Sequence, residues 1–599
     1  MVQQKRRAHS RYKATGNDGD YKLFSDLRKS CGALSRSLYN AYLNDVQSSL
    51  LTNVKAFWNY VNYKDGVSSP PTTMTYMGRQ SDSLLETANL FAQYFSSVYE
   101  QPVLCEPSYP VVDVVSIGLV SVSLGRVQQA LASLDPTKGM GPDGVPPILL
   151  RNCPSLAIPL HALFNKSLVS GTFPQVWKAS FLTPIHKQGS RSAVDHYRPI
   201  STLSTIPKTF EKLVLQDTAP LLYPVIAPQQ HGFVPGRSTL SNLVAFQEYV
   251  LGAFEGGCRQ VDCISTDFSK AFDKISHKHI IAVLRAVGLH GAFLSWLGDY
   301  LHGRTMQVRL RGVTSASFPA SSGVPQGSHI GPLLFLLLIN TVVPEISDVQ
   351  FLLYADDLKI FTKVDDAQDA ALLQNSLDKL LAWCGVNSFF LNRSKCFVIS
   401  FLKTQNPISF PYILDGEALQ KKDQARDLGV LFDSRLLFPD HVGMVAGRAM
   451  RALGFLKRCT REFTNVAAIT HLYLTMVRPI MEYASVVWSP YYEVHKQELE
   501  RVQRKFLRYV AYRSGGLDDY HPESLRAGLG LPTLETRRLL ADTMFFLKLV
   551  IGELDCPALL AQISLHAPSY PSRLSTLFYV PFSTTNYLYH RPLHRLPRQ

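Results

Sequence analysis

The sequence has no apolar run long enough to cross a bilayer. Its most apolar stretch, Gly331 to Val343, falls short of the ~20 residues that a spanning helix needs. Nine cysteines are scattered along the chain without a Cys-x-x-Cys pair or a Cys/His cluster at zinc spacing. That excludes zinc ribbons and knuckles, and it fits a reduced, intracellular protein. No internal repeat is visible, which excludes solenoids and propellers. Acid is scarce: 47 Asp and Glu face 61 Lys and Arg, leaving a net charge of +14. Such an excess points to a polyanionic partner, nucleic acid before membrane surface. The basic amino terminus (Lys5, Arg6, Arg7, Arg11, Lys13) has no apolar segment behind it, so no secretory signal is expected. It reads as a nuclear-targeting patch or as a solvated basic tail.

What is present is ordinary globular composition over a long chain. The 599 residues are 46% hydrophobic and 18% charged, enough for several domains and a large core. Apolar residues recur at helical spacing over Leu38 to Val46 and again over Leu84 to Phe95. Ser68 to Thr73 between them reads as a loop. Lys138 to Pro147 and His231 to Thr239 are glycine- and proline-rich loops. Trp177 to Ile200 alternates, with Lys178, Lys187, Arg191 and Arg198 on its polar positions, and Pro207 to Val214 returns to a helical pattern. Val261 to Asp267 reads as a strand ending in an acid, with a helix expected from Phe268 to Val283. A tight loop, Ser322 to Ser328, precedes an apolar helix from Gly331 to Asn340. Ala370 to Cys384 is an amphipathic helix, and Leu428 to Phe432 is a short strand. From residue 440 the chain is expected to be mostly helical, and the Pro-, Ser- and Arg-rich tail from Pro568 to be disordered.

The stretch that organises the rest is Tyr354-Ala355-Asp356-Asp357. Strand-like, apolar flanks surround two adjacent carboxylates, so the simplest geometry is a hairpin with the acids at its tip. Taken alone, the pair also fits a solvated acidic turn. A buried unpaired carboxylate is costly, and divalent metal is the natural neutraliser because hard cations take oxygen ligands. Nucleotidyl transfer uses two metals about 3.5–4 Å apart, which needs carboxylates from more than one chain segment. Asp267, at the end of the other predicted strand, can supply the third. Farther on, Leu499, Val502, Phe506 and Tyr509 form an apolar stripe opposite Arg501, Arg504, Lys505 and Arg508. Residues 440–513 hold 12 Lys and Arg against 6 Asp and Glu, so that basic face either is merely solvated or tracks phosphates.

The ordered motifs carry a resemblance. They are GPDG (141–144), YRPIS (197–201), HGFVPGRST (231–239), DFSKAFDKISH (267–277), GVPQGS with GPLLF (323–335), YADD (354–357), LNRSKC (391–396) and LGVLFD (428–433). RPIMEYASVVWSP (478–490) and LERVQRKFLR (499–508) follow. Together they resemble the reverse transcriptases of non-LTR, jockey-like retrotransposons, from about residue 35 to about residue 550.

The resemblance implies an α+β right-hand fold of fingers, palm and thumb, with helical regions at both ends. The corresponding stretches are a basic helical extension (1–105), fingers and palm (106–434), a helical thumb (435–515) and a carboxy-terminal region (516–599). It implies RNA-templated DNA synthesis with an RNA template, a DNA primer and target DNA, dNTPs and two magnesium ions, for which manganese can substitute. Asp267, Asp356 and Asp357 match the catalytic, metal-binding acids, and the Phe268 backbone carbonyl a further metal ligand. Phe272 matches the ring that excludes a ribose 2′-hydroxyl; a core aromatic is the alternative. Lys187 and Arg198 resemble the residues that grip the triphosphate. Gly323, Pro325, Gln326 and Gly327 match the loop beneath the incoming nucleotide, where glycines allow close approach. Lys395 resembles the lysine that protonates departing pyrophosphate, or is a surface lysine. Arg501, Arg504, Lys505 and Arg508 are the expected nucleic-acid contacts, and Asp273 and His277 are expected to be structural. Leu428 to Asp433 resembles the hairpin that grips the primer.

There are departures. The family's endonuclease, which precedes the polymerase, is expected to be missing, and no RNase H pattern follows the thumb. His329 stands where the family often has an aliphatic residue. The expected location is the nucleus, with a cytoplasmic ribonucleoprotein stage. The rival expectation is a nucleic-acid-binding protein without catalysis, left by a decayed element; three acids facing phosphates argue against it.

Overall fold

A computed structural model describes all residues except 66–70, 72, 102–106, 112–113, 516–519, 567–576, 580–581, 584 and 599. Most of the loop expected at Ser68 to Thr73, and much of the tail from Pro568, lie outside the described residues. The chain mixes helix and sheet and makes two compact units, each from two separate stretches. One unit joins residues 1–69 to 438–542, and the other joins 70–437 to 543–599.

In the larger unit, the elements that matter to the site run in this order. The strands are β1 (Ala179–His186), β2 (Tyr197–Leu203), β3 (Gln260–Thr266), β4 (Arg304–Leu310), β5 (Gln350–Tyr354), β6 (Asp357–Lys363), β7 (Phe397–Leu402) and β8 (Gln420–Lys422). The helices are α1 (Thr239–Glu255), α2 (Gly331–Ile339) and α3 (Ala367–Asn387). One sheet has the order β8-β7-β3-β6-β5, antiparallel except for β7 and β8. A second has the order β2-β1-β4, with β1 antiparallel to β2 and parallel to β4. Short strands at Val313–Thr314 and Phe318–Ala320 pair with β4.

Sequence pattern explains the layering. β3 is central and nearly every residue in it is buried, as a strand covered on both faces must be. α2 is apolar all round and buried along its length, which a helix tolerates only inside a core. α3 runs longer at both ends than its leucine spacing predicts. Asp366 caps its start by accepting from the Gln368 and Asp369 amides.

The helix expected from Phe268 to Val283 is broken instead. Ser269 N–H donates to Phe390 O at 2.7 Å, and Phe268 bridges to Leu391, so the chain after β3 is held by sheet-like contacts. Lys270 then turns left-handed (φ 53°) before a short helix, Ala271–Lys274, and the main helix starts only at His277. The tail from Pro568 is also not wholly irregular: Asn586–Tyr589 and Pro592–Arg595 are helical, with Leu588, Leu593 and Leu596 buried.

The smaller unit is helical among its described residues. Asp18–Ser49 packs on Val54–Asp65, α4 (Pro439–Cys459) packs on α5 (Glu493–Arg513), and Trp58 stacks on Phe455 of α4 at 6.2 Å. The Gln47 carboxamide oxygen accepts from the Thr464 and Asn465 amides at 2.8 Å, tying the amino-terminal helix to the loop after α4. Leu499, Val502 and Phe506 of α5 are buried as the stripe requires, and Tyr473 stacks on Phe506 at 4.0 Å.

Candidate active site

The hairpin forms as the sequence suggests. β5 and β6 pair antiparallel from Tyr354 with Asp357, leaving Ala355 and Asp356 as a two-residue turn. Ala355 takes φ 57°, a left-handed conformation that residues with a Cβ rarely adopt. Thr266 of β3 pairs with Leu358 of β6. Asp267, one residue past β3, therefore lies beside Asp357, one residue before Leu358. Register alone brings acids 90 positions apart in sequence to one sheet end.

All three acids line a cleft of about 800 Å³. Lys187, Arg198, Phe268, Phe272, Pro325, Gln326, Gly327 and Lys395 line it too. Lys187, one residue past β1, and Arg198, in β2, come from one antiparallel strand pair and line the cleft together with the acids. Phe272 is half-buried, with its ring stacked 4.3 Å from Phe335 and edge-on to Phe233 at 6.0 Å. Gly323 does not line the cleft but lies directly behind it. It has φ 77°, and a Cβ there would meet the Phe272 and Asp273 carbonyl oxygens at 2.6 Å. A Cβ on Gly327 (φ 115°) would meet Ser201 O at 2.9 Å. Ser201 N–H donates to Gln326 O at 3.0 Å, so this loop is pinned to β2. Asp273, expected to be structural, also lines the cleft. Its carboxylate accepts from Gln326 Nε2 at 2.8 Å, and burial pushes its pKa up to about 6.

Electrostatics tie the group together. Burial first, then the charges of Asp356, Asp267 and Asp427, push the Asp357 carboxyl up to about 6. Burial and the Asp267 charge also raise Asp356, against Arg198 and Lys395, which lower it. The Lys187 ammonium is pushed down by burial and by the Arg198 and Lys395 charges. Lys395 Nζ donates to Asp267 Oδ2 at 2.7 Å.

The donor set suits a hard divalent cation: three carboxylates at one cleft, two of them crowded enough to hold protons more tightly than usual. Among the described residues, no three His, Cys, Asp or Glu side chains stand as a finished metal cage. The Asp267 carboxylate faces an ammonium group instead.

Sequence reasoning missed what holds the hairpin. Gln230 is buried, and its carboxamide closes on the turn. Its Oε1 accepts from the Ala355 and Gly232 amides, each at 2.8 Å, and its Nε2 donates to Ala355 O at 3.2 Å. His231 N–H and Asn242 Nδ2 both donate to Leu353 O, at 2.8 and 3.0 Å, and Leu353 N–H donates to Gln229 O at 3.0 Å. A Cβ on Gly232 would stand 2.2 Å from Ala355 N. The only signal in sequence was polar Gln230 and glycine beside apolar residues, which fits any loop.

The basic face of α5 is exposed, as expected: Arg501, Arg504, Lys505 and Arg508 all point to solvent. Lys505 and Arg508 border a groove of about 490 Å³ with Lys457, Tyr509 and Tyr512. Leu428 and Gly429 form the turn between short antiparallel strands, Gln424–Asp427 and Val430–Asp433.

Comparison with known proteins fits the geometry. The sequence profile of the family described as "Reverse transcriptase (RNA-dependent DNA polymerase)" matches residues 185–432, a span that contains every residue assigned above to the cleft from Lys187 to Lys395. The chain is 28% identical over 413 residues to a probable RNA-directed DNA polymerase from transposon BS of Drosophila melanogaster, covering 66% of this chain and 45% of that protein. It is 26% identical over 538 residues to the RNA-directed DNA polymerase from mobile element jockey of the same organism, covering 85% and 58%. Against the probable RNA-directed DNA polymerase from transposon X-element, also of D. melanogaster, identity is 27% over 397 residues, covering 64% and 43%. The chain thus spans about half the length of these relatives. Residues 185–432 thus match the reverse transcriptase family, and the chain that carries them is similar to the RNA-directed DNA polymerases of the mobile elements BS, jockey and X-element.

Proposed function

We propose that the protein is an RNA-directed DNA polymerase of a non-LTR retrotransposon, extending a DNA primer on an RNA template. The observation that carries this reading is the register that sets Asp267 beside Asp357, in a cleft that Lys187 and Arg198 also line. In this reading the β3-β5-β6-β7 sheet is the palm, the β1-β2-β4 sheet belongs to the fingers and the helices around α4 and α5 are the thumb. The divisions at residues 105, 434 and 515 serve as working boundaries.

Asp267, Asp356, Asp357 and the Phe268 carbonyl would hold two magnesium ions, for which manganese can substitute. Bound there, such ions ease ionisation of the primer 3′-hydroxyl and neutralise charge on the departing oxygen. The primer 3′-oxygen attacks the α-phosphorus of a dNTP, and the bond to the bridging oxygen breaks, releasing pyrophosphate. Arg198 grips the triphosphate through its planar fork and Lys187 does so as a point charge. Lys395 supplies the proton that pyrophosphate takes up. Phe272 closes the space that a 2′-hydroxyl would occupy, and Pro325, Gln326 and Gly327 form the floor under the base. Arg501, Arg504, Lys505 and Arg508 contact phosphates of the nucleic acid. The basic amino-terminal residues fit a nuclear destination.

The test is primer extension by purified protein on an RNA template with dNTPs and magnesium. Wild type should extend the primer and Asp356→Ala should not. Equal extension by the two would end this reading.

A further inference from the structure

The carboxy-terminal segment reaches the same hairpin through a relay of buried contacts. Arg237, in the loop after Gly232, is largely buried, and its guanidinium makes three bonds. Its Nη1 donates to Ala227 O and Gln230 O, each at 2.8 Å, and its Nε donates to Asp555 Oδ2 at 2.8 Å. Asp555 N–H donates in turn to Gly236 O at 2.8 Å. The Gln230 carboxamide then clasps both backbone groups of Ala355, the residue before Asp356. A second anchor fixes the segment to α1, the helix that starts two residues after Arg237. Arg591 is buried, pairs with buried Glu248 and donates to Glu255 at 2.6 Å.

We propose that the carboxy-terminal segment, anchored at Asp555 and Arg591, acts as a strap that positions the catalytic hairpin, with Asp555 and Arg237 as positioning residues that set Gln230 against Ala355. This rests on the function proposed above. Asp555 itself does not line the cleft, so its effect runs through the backbone of residues 227–232. An Arg at position 237 suits this task better than a Lys, because its rigid planar fork reaches the carboxylate from Nε and the two carbonyls from Nη1, whereas a Lys offers its three donors from a single nitrogen. A guanidinium committed to three protein acceptors is also withdrawn from phosphate contact.

Two readouts test this on the full chain. The first is amide hydrogen exchange of the peptide spanning residues 350–358 in wild type, Asp555→Asn and Arg237→Lys. Either variant should lose at least ten-fold protection there while its melting temperature and the exchange of β3 stay unchanged. Asp555→Glu should restore the protection. The second is steady-state primer extension. The kcat of Asp555→Asn should fall at least five-fold with the KM for dNTP unchanged, because the carboxylates shift and the triphosphate contacts do not. Unaltered exchange over 350–358 in both variants would overturn the proposal whether or not the protein polymerises DNA. Global loss of protection would overturn it as well, since the relay would then be part of general stability. If wild type proves inactive, the function reading fails alone, and the exchange data still decide on the strap.

Discussion

Lys395 Nζ stands 2.7 Å from Asp267 Oδ2, so the acid that completes the trio is countered by an ammonium group on a neighbouring loop. Both side chains are partly exposed, and such a pair is worth no more than about 1 kcal/mol. It should nonetheless compete with a divalent ion for the carboxylate. Lys395→Ala is therefore expected to lower the magnesium concentration giving half-maximal primer extension by roughly two- to five-fold, the equivalent of that energy. The same variant should lower kcat, through loss of the proton donor. A magnesium titration of both proteins checks this, and a higher magnesium requirement in the variant would refute the competition.

Asp357 offers a stability test that needs no substrate. Burial and the neighbouring acids raise its pKa from the ordinary carboxylate range to about 6. The folded state therefore binds its proton more tightly than the unfolded chain does. Stability falls as pH rises from about 4 to about 6, and the penalty persists above that. Asp357→Asn removes the penalty. The variant should melt higher than wild type at pH 8, and the gain should vanish near pH 4. Thermal melts at both pH values decide it; a variant less stable at pH 8 would show that the carboxylate is satisfied in the fold.

Phe272 is fixed by stacking on Phe335, a ring buried in α2. A ring held on one face has little freedom to swing away from a ribose. Phe272→Val should relax discrimination between dNTP and rNTP by roughly ten-fold or more, the scale on which a steric pocket selects. Single-nucleotide incorporation measured with each substrate gives the ratio. An unchanged ratio would return Phe272 to the core.

The parts legible in sequence were those with a local period or a local chemical demand. α2 is apolar without interruption, α5 has two clean stripes, and the acids of the hairpin interrupt strands that are otherwise apolar. The helix expected from Phe268 failed because its spacing is helical while its partners are not. The Phe390 and Leu391 backbone captures the first residues, and no pattern within residues 268–283 encodes that. The same holds for Gln230 and Arg237. Each does its work through contacts distant in sequence, Gln230 with Ala355 and Arg237 with Asp555, so neither could be told from an ordinary loop residue. The tail misled for a related reason. Its composition is that of a disordered segment, yet Arg591 finds two glutamates on α1 and brings leucines with it into the core.

Gln326 carries the last prediction. Its carboxamide lines the cleft, and its Nε2 donates to the Asp273 carboxylate at 2.8 Å. The Asp273 backbone packs against Gly323, whose lack of a side chain lets the two loops touch. Asp273→Ala leaves the partly buried Gln326 amide without its charged acceptor, and a hydrogen bond to a charged group is worth about 1.5–3 kcal/mol. The side chain should then leave its place, and the KM for dNTP should rise by up to roughly a hundred-fold, the same energy read as affinity. Asp273→Asn keeps a carbonyl oxygen in position and should stay within a few-fold of wild type. The contrast between the two variants is the measurement, with dNTP titrations at saturating primer and template. If alanine and asparagine raise the KM equally, the negative charge of Asp273 matters by itself, and its bond to Gln326 is not what orders the floor of the cleft.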